Sequence, residues 1–183
     1  MQKRLYQGGI VVLGIAILFL FANCSGGPDL VVPGKVTGGG WVEAPNGKAN
    51  FGFNASSCDG PENITGRFNF HDKTASLFPN GGVKMNGAVI DAMQCAEQAG
   101  CEDPVAPGQI CPMDAYSITV GYRSTNPKYP GTGIAGACVV DYGEGKNGTG
   151  VLLGLGVQSG PFLGYSISGT IKGNIQAHLC PAP

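Results

Sequence analysis

Charge is scarce in this chain: Asp, Glu, Lys and Arg make up 13% of its 183 residues, about half the usual share. The 11 basic and 12 acidic residues balance to −1, so composition shows no electrostatic footprint for nucleic acid and no such partner is expected. Helical periodicity is absent apart from Asp91 to Ala99, which reads as one or two turns. No serine sits in a Gly-x-Ser-x-Gly setting, so the nucleophile elbow of serine hydrolases is not supported. Gly38-Gly39-Gly40 lacks the Gly-Lys-Ser/Thr ending of a phosphate loop. The carboxylates are too scattered to name a glycosidase pair, and no catalytic residue is assigned.

Glycine and proline are abundant, with 32 Gly and 13 Pro, which excludes a mostly helical protein. Hydrophobic content of 43% argues against wholesale disorder. Turn signals recur at Asn46-Gly47, Asn80-Gly81-Gly82, Asn86-Gly87 and Asn147-Gly148. Between them the pattern alternates: Phe51 with Phe53, Phe68 with Phe70, and Ile118, Val120 and Tyr122 each share a face, as do Tyr165, Ile167 and Ile171, then Ile175, Ala177 and Leu179. One dry and one wet face per strand is the signature of an antiparallel sheet. The fold class predicted is all-β, an antiparallel β-sandwich or partly closed β-barrel of about 8–10 short strands, stabilised by disulfides. Gly52, Gly66, Gly87, Gly121 and Gly169 fall inside strand patterns, where glycine marks bulges, bends or close packing.

Lys3 and Arg4 precede a twelve-residue apolar run, Ile10 to Phe21, followed by Ala22-Asn23-Cys24. That is the layout of a secretory signal peptide over residues 1–23. Leu20 and Ala22 suit a bacterial lipoprotein box with Cys24 as the lipidated residue, although Phe21 and Asn23 depart from it. Residues 24–33 then read as a Gly/Pro-rich tether and 34–183 as a single domain. Loss of Lys3 and Arg4 leaves 9 basic against 12 acidic residues in the mature chain, or −3. The predicted location is the bacterial cell envelope or the extracellular space, with the membrane engaged through the N-terminal lipid.

Removing Cys24 from seven cysteines leaves Cys58, Cys95, Cys101, Cys111, Cys138 and Cys180, an even number suited to an oxidising compartment. Their spacing does not match the paired two-residue spacing of structural zinc sites. Six cysteines allow 15 connectivities; a local Cys101–Cys111 bridge, with Cys95 reaching a distant strand, is one expectation.

With these runs in view, the chain resembles a family of secreted bacterial domains, the post-COAP family. The likeness rests on Gly34-Lys35-Val36-Thr37-Gly38-Gly39-Gly40-Trp41, Lys48-Ala49-Asn50-Phe51-Gly52-Phe53-Asn54, Gly66-Arg67-Phe68-Asn69-Phe70-His71-Asp72 and Gly169-Thr170-Ile171-Lys172-Gly173-Asn174-Ile175-Gln176-Ala177-His178, in that order. Asp141-Tyr142-Gly143-Glu144-Gly145 is similar to the family's acidic turn, but the Asp and aromatic residues expected beyond it are replaced by Gly148 to Leu153. The resemblance implies an all-β extracellular domain without an assigned activity, so no catalytic residue is carried over.

Several residues are candidates for chemistry. His71 and His178, with Asp72, Asp141 or Glu144, offer imidazole and carboxylate ligands for a transition metal; two unrelated surface histidines account for the same observation. Asp141, Glu144 and Asn147 among glycines offer oxygen ligands for calcium, and a capped hairpin turn is the preferred reading of them. Trp41, with Tyr122, Tyr129, Tyr142 and Tyr165, offers aromatic faces for a sugar ring or peptide, Trp41 and Tyr142 being the candidate ligand contacts, against ordinary core packing. The leading expectation is a non-enzymatic binding or structural domain at the cell surface, with a polysaccharide or envelope protein as partner and no cofactor. The competing one is a secreted hydrolase or metal-dependent enzyme using His71, Asp72, Asp141, Glu144 and His178.

Overall fold

A computed structural model of the chain describes residues 34–60, 62–94, 101–102, 110–111, 115–141 and 150–180. The signal and tether segments, Cys24, Cys95, Tyr142, Glu144 and Asn147 lie outside the described residues. Eleven strands follow in order: β1 (Gly34–Ala44), β2 (Gly47–Ser56), β3 (Thr65–Asp72), β4 (Val83–Gln94), β5 (Cys101–Glu102), β6 (Ile110–Cys111), β7 (Ala115–Ser124), β8 (Thr132–Asp141), β9 (Gly150–Val157), β10 (Ser166–Thr170) and β11 (Lys172–Leu179). Among the described residues no helix is long and apolar enough to cross a membrane.

Nine strands form one antiparallel sheet in the order β10-β9-β8-β7-β4-β3-β2-β1-β11, and β5 pairs with β6 apart from it. The two edges of the sheet are consecutive in the chain. β10 pairs with β9 and β11 with β1, and only Ile171 separates them. One bent strand therefore serves both edges, and the single sheet curls round on itself so that its two ends meet at that strand. Of the two architectures left open by alternation, this curled sheet is the one adopted. Gly40 and Gly173 face each other at the seam. A Cβ on Gly40 would meet the Lys172 carbonyl oxygen at 2.6 Å, and one on Gly173 would collide with the Gly39 carbonyl oxygen, so the tight approach of β1 and β11 requires both glycines.

The alternating pattern sets which side chains enter the barrel. Phe51, Phe53, Phe68, Phe70, Met85, Ile118, Val120, Tyr122, Leu155, Ile171 and Ile175 share one buried core, while Asn50, Asn54, Arg67, Asn69, Asn86 and Arg123 between them are exposed. Apolar-in and polar-out is the reverse of the alternation in transmembrane barrels. Leu179, expected on the dry face, is 86% exposed where β11 ends.

Two local expectations are corrected. Asn86-Gly87 does not turn the chain but lies inside β4, where a Cβ on Gly87 would reach Val120 Cγ1 at 2.5 Å and the Gly121 carbonyl oxygen at 2.7 Å; the glycine permits close packing of β7. Asp91 to Gln94 continue β4 as strand rather than opening a helical turn, with a bulge between Val89 and Asp91 that shifts the alternation by one residue.

Cys58 and Cys180 are joined by a disulfide, with their Cα atoms 5.3 Å apart, which ties the end of β11 to the segment after β2. Cys138, buried on β8, is also disulfide-bonded. The backbone register sets Cys101 directly opposite Cys111.

Candidate binding surface

Outward positions of neighbouring strands line up in rows across the barrel wall. Trp41 on β1 stands opposite Asn50 on β2, Asn50 opposite His71 on β3, and His71 opposite Lys84 on β4. One step along, Gly39, Gly52, Asn69, Asn86 and Arg123 form a parallel row. A third row runs Thr37, Asn54, Arg67 and Ala88. Between the first two rows lies an open groove of about 320 Å³ lined by Asn50, Gly52, Asn69, His71, Lys84 and Asn86, with Thr125 at one end.

This wall gathers cations that the sequence disperses. Lys35, Lys48, Arg67, Lys84, Arg123 and Lys172 occupy outward positions, against Glu43 and Asp91 as the acidic ones. Trp41 closes the first row, and the Lys48 ammonium lies 3.8 Å from its ring centroid, within cation–π range. His71 is half-buried, and its Nε2 is shielded from solvent with no hydrogen-bond partner among the described residues. Burial lowers its pKa below the usual imidazole value, Lys84 and Lys73 push the same way, and Asp72 opposes them. The neutral imidazole is therefore favoured.

Asp72 follows His71 but points into the barrel and is 2% exposed. Its Oδ1 accepts hydrogen bonds from the Thr74 amide (2.8 Å) and hydroxyl (2.7 Å), and its Oδ2 accepts one from the Tyr165 hydroxyl (2.9 Å). Burial, and then the nearby carboxylate, push the Tyr165 pKa far up, so that this phenol stays protonated. The cluster borders a smaller cavity of about 130 Å³ between the 73–77 turn and Gly164 to Ile167. It braces two loops, because a buried carboxylate needs partners for its lone pairs.

The residues considered for metal or enzymatic chemistry are not brought together. His71 and Asp72 face opposite sides of β3. His178 stands opposite Lys35, whose row continues to Ser56 and Thr65; His71 is six residues further along β3, about 20 Å at roughly 3.3 Å per residue. Asp141 Oδ2 accepts a hydrogen bond from the Ala177 amide at 3.1 Å, linking β8 to β11. Among the described residues no group of three or more His, Cys, Asp or Glu side chains is placed to hold a metal ion. Of the tyrosines weighed with Trp41, Tyr122 packs in the core and donates its hydroxyl to the Ser159 carbonyl at 2.9 Å. Burial raises its pKa, against a smaller lowering by the Phe162 amide that donates to it. Tyr129 packs edge-on to Phe78 at 5.3 Å.

Read as sequence, Asn50, Asn69, Lys84, Asn86 and Arg123 are not marked as ligand contacts. The available signal was their parity: each sits one position from an inward Phe, Met or Tyr, so the wet face of four adjacent strands could have been read off as a set. No protein-family model matches the chain, and neither a curated protein nor a solved structure does.

Proposed function

We propose that the chain is an exported, lipid-anchored domain of the cell envelope with a non-enzymatic binding role, and that the wall over β1 to β4 and β7 is its binding surface. The observation that carries this reading is the wall itself, an outer sheet face rich in amides and cations around a groove. Among the described residues the groove's imidazole has no carboxylate partner on that face, because Asp72 is turned inward and held by Thr74 and Tyr165. Export is supported by the apolar run before Cys24 and by the Cys58–Cys180 disulfide. The likeness to the post-COAP family of secreted β domains supports the same location. Gly34 lies at the disulfide end of the barrel, its amide and carbonyl both in contact with Ser57.

The test has two parts. Mass spectrometry of the mature N-terminus should find Cys24 acylated; an unmodified terminus beyond Cys24 removes the anchor. Immobilised domain should retain isolated envelope fragments, and the triple variant Arg67→Gln/Lys84→Gln/Arg123→Gln should release them. Equal retention by the variant removes the wall as the binding surface.

A further inference from the structure

We propose that the occupant of this wall is a linear anionic polysaccharide, a polyuronate or a glycan carrying sulfate or phosphate, lying across β2, β3 and β4 in the groove from Asn50 to Asn86. The inference deepens the binding reading above and rests on it.

Four observations carry it. First, Asn50, Asn69 and Asn86 stand on neighbouring strands, and their side-chain amides make no hydrogen bond among the described residues. Each amide offers two donors and an acceptor, the pairing that neighbouring sugar hydroxyls require. Strands lie about 4.8 Å apart, comparable with the length of one pyranose unit, so successive strands can meet successive sugars. Second, six cations against two carboxylates give the wall a positive field although the chain as a whole is at −1. Lys84, Arg67 and Arg123 make no ion pair among the described residues, so a ligand anion would not have to displace an internal partner.

Third, Gly52 in the groove, and Gly39 opposite it on β1, are bare for no steric reason. A Cβ on Gly52 would meet its nearest atom, the Gly38 carbonyl oxygen, at 3.9 Å, and one on Gly39 would meet the Phe51 carbonyl oxygen at 3.7 Å. Both are ordinary contacts, and neither glycine has a positive φ. Glycine weakens a strand interior, so the fold alone would favour a side chain at both positions, whereas a flat ligand would not. Fourth, the half-buried imidazole of His71 lines the groove. A single-stranded nucleic acid would want a series of stacking rings, and this face presents only Trp41, at its edge.

Affinity electrophoresis of the disulfide-intact mature protein tests the assignment, at physiological ionic strength, in gels containing polygalacturonate, a sulfated glycan, a teichoic-acid-type polyphosphate, or neutral dextran. Retardation is expected in at least one anionic gel and not in dextran, and the three anionic arms identify which acid group is read. Gly52→Val should weaken binding at least about tenfold with its melting temperature unchanged or raised, because the β-branched side chain suits a strand but fills the floor. Asn69→Ala should weaken it comparably without altering charge, and Lys128→Gln, on the 124–131 loop away from the wall, should leave it unchanged. Equal retardation in dextran, full binding by Gly52→Val, or displacement by single-stranded DNA at lower charge equivalents than by the glycan overturns the proposal. If no anionic glycan binds while the triple variant still releases envelope fragments, the glycan assignment falls and the binding wall stands. If the triple variant is retained like the wild type, both fall.

Discussion

Asp72 and His71 are adjacent in the chain and meet opposite environments, and the difference makes two predictions. The Asp72 carboxylate is buried, and three hydrogen bonds from Thr74 and Tyr165 hold it. Tyr165→Phe keeps the ring against Phe70, 5.6 Å between centroids, and removes only the donor to Oδ2. Leaving a buried acceptor unpaired costs about 1–3 kcal/mol, and urea unfolding should show a loss in that range; an unchanged midpoint would mean that water replaces the phenol. His71 makes the pH prediction. Its folded pKa lies below 6.5, chiefly through burial, with Lys84 on β4 and Lys73 adding to the effect and Asp72 opposing it, while Asn50 across on β2 is neutral. The unfolded chain therefore binds the proton first as pH falls through 6.5, and the folded state loses stability there. Between about pH 7.5 and about pH 5 the melting temperature should fall more for the wild type than for His71→Asn. Parallel curves would show that His71 does not titrate in this way.

At the level of elements, the seam between β1 and β11 decides whether the sheet is closed. Cys58–Cys180 spans 122 positions of sequence, and a crosslink over a loop of that size stabilises by about 2–5 kcal/mol, mainly by restricting the unfolded chain. The paired substitution Cys58→Ala/Cys180→Ala should lower stability by that amount, and amide exchange should rise in β11 before it rises in β3 or β4. Exchange that rises uniformly would mean that the seam has no separate stability. The strands themselves were legible from alternation, because burial on one face forces the period of two, and Phe51/Phe53 and Phe68/Phe70 point inward as their spacing says. Closure was not legible. It depends on a one-residue bend at Ile171 and on Gly40 meeting Gly173, 133 positions later, and no local pattern encodes such a meeting. Asn86-Gly87 misled for a related reason: a glycine needed for contact with Val120 looks, in one dimension, like a glycine needed for a turn.

Over the whole molecule, a net charge of −1 conceals a segregation of charge. The sequence spreads Lys35, Lys48, Arg67, Lys84, Arg123 and Lys172 over 138 positions, and only the register of six strands brings them to one wall, which is why the candidate surface could not be read from composition. Like charges on neighbouring strands repel, so the wall should cost the folded state free energy that a ligand anion, or salt, would relieve. The effect is screened at the surface and amounts to roughly 0.2–1 kcal/mol per strong contact. Raising sodium chloride from about one-twentieth molar to about half molar shortens the screening length several-fold, and should raise the melting temperature of the wild type. Lys84→Gln, which removes the charge opposite His71 on the wall, should raise the melting temperature at low salt and flatten its dependence on salt, whereas Lys128→Gln should do neither. A wild-type melting temperature that falls with salt would mean that attraction across the wall, chiefly Glu43 opposite Lys48, outweighs the repulsion. The wall would then be balanced internally rather than left waiting for an anion.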